Sequence, residues 1–267
     1  MMAASSDDFQ ELHDLLFGAK ERYRSVRATV LHTVDGSVAG ESRRRFVDWR
    51  FEQPGGSGLG FLRTKEERRS HGPDAPQDFY LQYEDSENTY HLWHERPDRW
   101  REEVRSLEGR MLRCVVFGGA RGPRWVYEPT ETAIYAPAGT LEWPHQDPHT
   151  DLSFMLDPSE ELFYYALATV HETGRRTTVA GREAAEVRVE TISWGYPPSI
   201  FHGFWVPEGT TDHLLLVDAE VGAILRVAAR LEDREFYVAE VTEIAYDEQF
   251  PEGIFRLELP GVEFERG

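Results

Sequence analysis

The chain has 267 residues and a mass of 30.8 kDa, which fits one large domain or two small ones. Hydrophobic residues supply 40% of it and charged residues 29%, a balance that excludes a disordered or fibrous protein. A net charge of −19 would repel a duplex or an anionic membrane surface, so nucleic acid is not an expected partner.

An amphipathic helix opens the chain. Asp7 and Gln10 have capping-box spacing, and Phe9, Leu12, Leu16, Ala19 and Tyr23 recur at helical intervals. From Ser25 the period changes to two, with Val26, Ala28 and Val30 on one strand face and Arg27, Thr29 and Leu31 on the other. Further strands are predicted near 42–52, 58–63, 78–84, 88–94, 99–106, 110–118, 124–128 and 132–136, with turn residues in most gaps. Gly55-Gly56-Ser57-Gly58-Leu59-Gly60 lacks the spacing of a phosphate cradle and reads as a hairpin loop.

A second helix is predicted near 157–173. Asp157 is its N-cap, Pro158 fits the first turn, Phe163, Ala166, Leu167 and Val170 form its stripe, and Gly174 stops it. Strands then resume at 176–193, 213–218, 223–231 and 235–247, and a short last one is expected at 254–259.

Cys114 is the only cysteine, which excludes an internal disulfide and any multi-thiolate metal site. It sits in Met111-Leu112-Arg113-Cys114-Val115-Val116-Phe117, a buried strand by pattern. No apolar run reaches the roughly 18 residues of a transmembrane span. The opening Met1-Met2-Ala3-Ala4-Ser5-Ser6 carries neither the basic nor the apolar part of a secretion signal, so a cytoplasmic location is expected.

About a dozen meandering strands cannot lie flat, because each is rotated on its neighbour and the sheet curls. The expected class is therefore α+β, mostly β, with residues 1–267 forming a single domain. Its core would be a single curled antiparallel sheet, an unclosed half-barrel of about 11–13 strands. The N-terminal helix and the helix near 157–173 would plug the concave face. Helices so few leave room for an apolar hollow, for which Trp49, Phe51, Phe61, Trp93, Trp100, Trp125, Phe163 and Leu167 are the candidate lining. The same side chains would serve equally as ordinary core filler.

The order of several short motifs carries a resemblance. The first helix ends Tyr23-Arg24-Ser25-Val26-Arg27-Ala28, and the strand Arg96-Pro97-Asp98-Arg99-Trp100-Arg101-Glu102-Glu103 follows. Then come Arg124-Trp125-Val126-Tyr127-Glu128-Pro129 and Leu156-Asp157-Pro158-Ser159. Val179-Ala180-Gly181-Arg182-Glu183-Ala184, Leu216-Val217-Asp218-Ala219-Glu220-Val221-Gly222 and Phe250-Pro251-Glu252-Gly253-Ile254-Phe255 complete the series. Over residues 9 to 260 this succession resembles the outer-membrane lipoprotein carrier LolA and its relatives. Those include actinobacterial lipid-binding lipoproteins and RseB-type sigma-factor regulators. The resemblance implies an unclosed antiparallel barrel with helices in its mouth, holding acyl chains or another apolar ligand without chemistry. Such relatives are exported, whereas the start of this sequence carries no export signal or lipid anchor.

Catalytic signals are weak. No G-x-S-x-G elbow occurs, and adjacent pairs such as Glu102-Glu103 diverge on a strand. His145, Asp147 and His149 in the 142–151 loop are the best metal candidates by ligand type, but Pro144 and Pro148 keep them off one helix face. His91 and His94 should point to opposite faces of a strand, and His213 reads as a surface residue. The leading expectation is non-enzymatic binding or carriage of a lipid or other apolar small molecule, with no cofactor and no catalytic residue. The alternative is a protein-interaction module of RseB type that docks a partner on the curved sheet. A third reading is a metal-dependent hydrolase built on 142–151.

Overall fold

A computed structural model describes residues 6–52, 84–119, 122–129, 132–139, 152–158, 168–191 and 209–266. Helix α1 (Ser6–Phe17) leads through a 3-10 turn at Ala19–Glu21 into β1 (Ser25–Val34) and α2 (Gly36–Glu52). A meander follows, formed by β2 (Ser86–Glu95), β3 (Arg99–Ser106), β4 (Met111–Gly118), β5 (Arg124–Glu128) and β6 (Thr132–Ala136). One helical turn, α3 (Ser153–Leu156), precedes a second meander of β7 (Ala168–Val179), β8 (Arg182–Thr191), β9 (Asp212–Asp218), β10 (Ile224–Leu231) and β11 (Arg234–Tyr246). The last element is β12 (Glu265–Arg266).

All twelve strands form one sheet in the order β12–β6–β5–β4–β3–β2–β1–β11–β10–β9–β8–β7. The two meanders meet where β1 pairs with β11, Val26 opposite Tyr246. Every neighbouring pair is antiparallel except β12, which runs parallel beside β6 at Ile134 and Tyr135. β7 and β12 lie at opposite ends of the order and share no ladder, so the curled sheet is unclosed. The alternation in β1 holds as read, with Val26, Ala28 and Val30 fully buried.

Three segments differ from the expectation. Residues 42–52 belong to a helix, α2, rather than a strand. The Asp35 carboxylate accepts from the Val38 amide at 3.0 Å, an N-cap that starts the helix six residues before the expected strand. Val38, Ala39, Ser42 and Phe46 then fall at helical spacing and are buried. The helix expected near 157–173 is overturned from Ala168 onward, where β7 begins. Asp157 caps the C-terminus of α3, and Gly174 (φ +72°) sits in an irregularity of the β7–β8 ladder between Glu172 and Arg176. β-branched Thr169, Val170, Thr173, Thr177 and Thr178 suit the strand better than a helix. Finally, 254–259 is a run of turns and loop rather than a strand. The expected strand at 58–63 and, apart from Glu84, the one at 78–84 lie outside the described residues.

One face of the sheet carries the helices. Leu12 and Leu16 of α1 and Phe154, Met155 and Leu156 of α3 share a cluster with Val26, Ala28, Leu92, Val187, Leu215 and Val227. At one end α2 adds Val38 and Ala39 against Ala229, Leu231 and Phe236. The turn at Gly222 (φ +91°) presses on α1 so closely that a Cβ there would lie 2.1 Å from the Leu15 carbonyl oxygen. The opposite face of β2–β5 is covered by the C-terminal segment, with Phe255 and Leu257 buried against Cys114 and Val116.

Candidate binding face

Strand register arranges the helix-bearing face in rows across β3, β2, β1 and β11. The first is Trp100–His94–Val26–Tyr246, and the next is Glu102–Leu92–Ala28–Ile244. Val104–Tyr90–Val30–Val241 follows, and Ser106–Asn88–His32–Ala239 closes the series. Along β1 the face is apolar from Val26 through Ala28 to Val30, a stretch bounded by aromatic and polar rows. From Val26 to His32 the strand covers roughly 20 Å.

The first row is a hydrogen-bonded aromatic cluster. The Tyr23 hydroxyl lies 3.0 Å from the Leu156 carbonyl oxygen and 2.8 Å from His94 Nδ1. A carbonyl can only accept, so the phenolic proton goes to Leu156 and His94 Nδ1–H donates to the Tyr23 oxygen. The His94 ring stacks on Trp100 at 3.8 Å between centroids, and burial pulls its imidazole down to about 4. Tyr23 also meets Tyr246 at 5.7 Å, and the Tyr246 hydroxyl donates to Asp218 Oδ2 at 3.2 Å. Arg182 holds Asp218 and reaches Glu220 at 2.8 Å.

Glu102 projects from the second row and is almost wholly buried. Its Oε2 accepts from the Leu152 amide at 3.1 Å. Two hydrogen bonds, one from Tyr23 and one to Glu102, thus fasten the two ends of the 152–156 segment onto the sheet.

The expected lining residues that are described divide between the faces. Trp100 lies on the helix-bearing face and packs on its core. Trp93 and Trp125 lie on the other face and meet the C-terminal segment. Trp49 and Phe51 stand on α2 instead of a strand. Phe61, Phe163, Leu167, His145, Asp147 and His149 lie outside the described residues. His94 is buried on one face while His91 stacks on Trp93 at 6.1 Å on the other, so the two cannot share an ion. His213, expected at the surface, is buried at 2% exposure. Among the described residues no group of three His, Cys, Asp or Glu side chains is placed to hold a metal ion.

Sequence reasoning missed Tyr23, Glu102, Tyr246 and His32 as members of this face. A usable signal was present: His32 and His94 share the parity of Val26, Ala28 and Leu92 on β1 and β2.

No protein-family model matches the chain, and no curated protein matches it. Several solved structures are similar to it. The Pseudomonas aeruginosa MucA/MucB complex superposes with a TM-score of 0.49 at 15% identity, covering 94% of this chain and 61% of that one. This chain therefore spans about three fifths of the length of that protein. An uncharacterized conserved protein from Thermus thermophilus gives 0.47 at 10% identity over 97% of this chain and 99% of its own. A LolA superfamily protein from Nitrosomonas europaea gives 0.32 at 10% identity, covering 92% of this chain and 97% of that one.

Proposed function

We propose that the protein is a non-enzymatic binding domain that holds an apolar ligand of acyl-chain type on the helix-bearing face of its unclosed sheet. One observation carries this reading: an apolar face spanning both meanders lies under short helical cover, and the 152–156 part of that cover is tied down by two hydrogen bonds. For this segment to lift, Phe154, Met155 and Leu156 must leave the core, and each methylene of a guest that takes their place contributes about 0.8 kcal/mol. A chain of ~10 carbons then contributes about 8 kcal/mol, comparable to the cost of association. The supporting experiment is gentle extraction of the purified protein with lipid mass spectrometry, beside titration with an apolar fluorophore. A copurifying lipid, or saturable uptake that a lipid displaces, is the expected result. Neither being seen would defeat the reading.

The second reading, docking of a protein partner, is favoured by one feature. Among the described residues strand β7 pairs only with β8, and residues 173–178 along it are exposed, so its outer edge can accept an extended segment. A stoichiometric protein partner lost when proline replaces Thr177, together with no small ligand, would favour this version.

A further inference from the structure

His32 stands apart from the other polar groups of this face. Its side chain is 4% exposed, and neither ring nitrogen has a hydrogen-bond partner among the described residues. The ring is held edge-on between two aromatic neighbours, Tyr90 at 5.6 Å and Tyr237 at 4.3 Å between centroids. Burial pulls its imidazole down to about 4. His32 is therefore a neutral ring with one donor and one acceptor, both desolvated. Leaving such groups unpaired costs free energy, and a neighbour or a guest ordinarily supplies the partner. His32 occupies the row of Asn88 and Ser106, directly beyond the apolar stretch of Val30, Ala28 and Val26.

The geometry points to His32 as the polar subsite of the apolar face, pairing with the uncharged hydrogen-bonding end of a ligand whose hydrocarbon part lies along Val30, Ala28 and Val26. A hydroxyl or an ester carbonyl has the right chemistry. An ionised carboxylate is the poorer match, because it loses far more hydration on burial than a hydroxyl or an ester carbonyl does. The inference rests on the apolar-ligand reading and adds to it the class of the ligand's polar end.

Competition against a bound apolar fluorophore tests it, with a long-chain fatty alcohol, the methyl ester of the matching fatty acid and the alkane of equal length as probes. The wild-type protein should prefer the alcohol and the ester to the alkane by roughly five- to tenfold, the worth of one buried hydrogen bond. His32→Phe keeps a flat apolar ring, removes both unpaired nitrogens, and should erase that preference. Should the variant fail to fold, nitrogen NMR of the wild-type imidazole replaces it: the His32 ring signals should move with the alcohol and not with the alkane. Equal affinities for all probes in the wild type, a preference surviving in His32→Phe, or ring signals indifferent to the alcohol would each overturn the subsite while sparing the apolar-ligand reading. Failure of every probe to displace the fluorophore would remove both.

Discussion

Glu102 and Leu152 are joined by a hydrogen bond of 3.1 Å from the Leu152 amide to the Glu102 carboxylate, with both residues at 1% exposure. A carboxylate buried on an apolar face costs desolvation unless its lone pairs are used. Here it spends one on the backbone that enters α3, so the same group anchors the cover and is satisfied by it. Arg113 stands 3.9 Å away and offsets part of the charge.

Replacing Glu102 by leucine removes the anchor and leaves the Leu152 amide buried and unpaired. A hydrogen bond to a charged group contributes about 1.5–3 kcal/mol, so urea unfolding should show a loss of about that size. The freed segment should also admit an apolar fluorophore faster in stopped-flow mixing. Unchanged stability together with unchanged uptake would mean that the tether does not hold the cover.

Tyr23→Phe deletes one hydroxyl and strands two partners, the Leu156 carbonyl and His94 Nδ1–H. The ring remains, and with it the contact to Tyr246, so packing is preserved. A loss of about 1–3 kcal/mol in denaturant unfolding is expected, because the cost is that of unpaired buried groups rather than of a cavity. The double variant with Glu102→Leu should show non-additivity, since both residues restrain the same segment.

His32, His94 and His213 are each pulled from 6.5 to about 4, by burial first. Their native forms are neutral, and the unfolded chain binds protons that the folded one refuses. Stability is therefore complete above about pH 6.5 and declines as the pH falls toward about 4. The buried carboxylates Glu103 and Asp212 do not explain a loss in that window. Although burial opposes ionisation, Arg101 and Arg105 hold Glu103 below the usual 4.5, so its contribution disappears only at lower pH. Asp212 behaves likewise beside Arg230 and Arg188. Melting temperatures should fall progressively from pH 7 to 5, and His32→Phe should flatten part of the slope. A flat profile over that range would contradict the neutral assignment.

Much of the sheet was legible because period-two patterns were bounded by real turns. Strands near 88–94, 99–106, 110–118 and 124–128 matched Ser86–Glu95, Arg99–Ser106, Met111–Gly118 and Arg124–Glu128 closely. Segment α2 was not read because Phe46, Trp49 and Phe51 suit a strand by residue type, while the Asp35 cap that decides the matter lies outside the window considered. Likewise, Val170 and Gly174 imitate a helix end, and only pairing with β8 reveals a strand. The face of each tryptophan depends on register: Trp93 and Trp100 flank one hairpin, yet its pairing of His94 with Trp100 sends them to opposite sides. Composition alone could not show that a C-terminal segment covers the second face and buries Cys114 and Val116 there.

That segment gives the last prediction. Arg101 ties it to β3, its Nη1 donating to the carbonyl oxygens of Ile254 at 2.8 Å and Arg256 at 2.9 Å, while Arg99 lies over the Phe255 ring at 4.6 Å. Beneath Phe255 and Leu257 lies Cys114, fully buried, its thiol pushed up to about 12 by burial first. A thiol so placed is protonated and shielded, so the native protein should react with a disulfide reagent near pH 8 only on the time scale of opening. Phe255→Ala removes the ring that seals the site and should cost about 3–5 kcal/mol of stability. Thiol labelling under native conditions should then accelerate by orders of magnitude. A companion variant, Arg101→Met, gives up both carbonyl contacts, the guanidinium over the Trp93 ring and the pairing with Glu103 but leaves Phe255 in place, and should raise the labelling rate less. If labelling were equally slow in both variants, Cys114 would be protected by the sheet itself and the segment would not act as its cover.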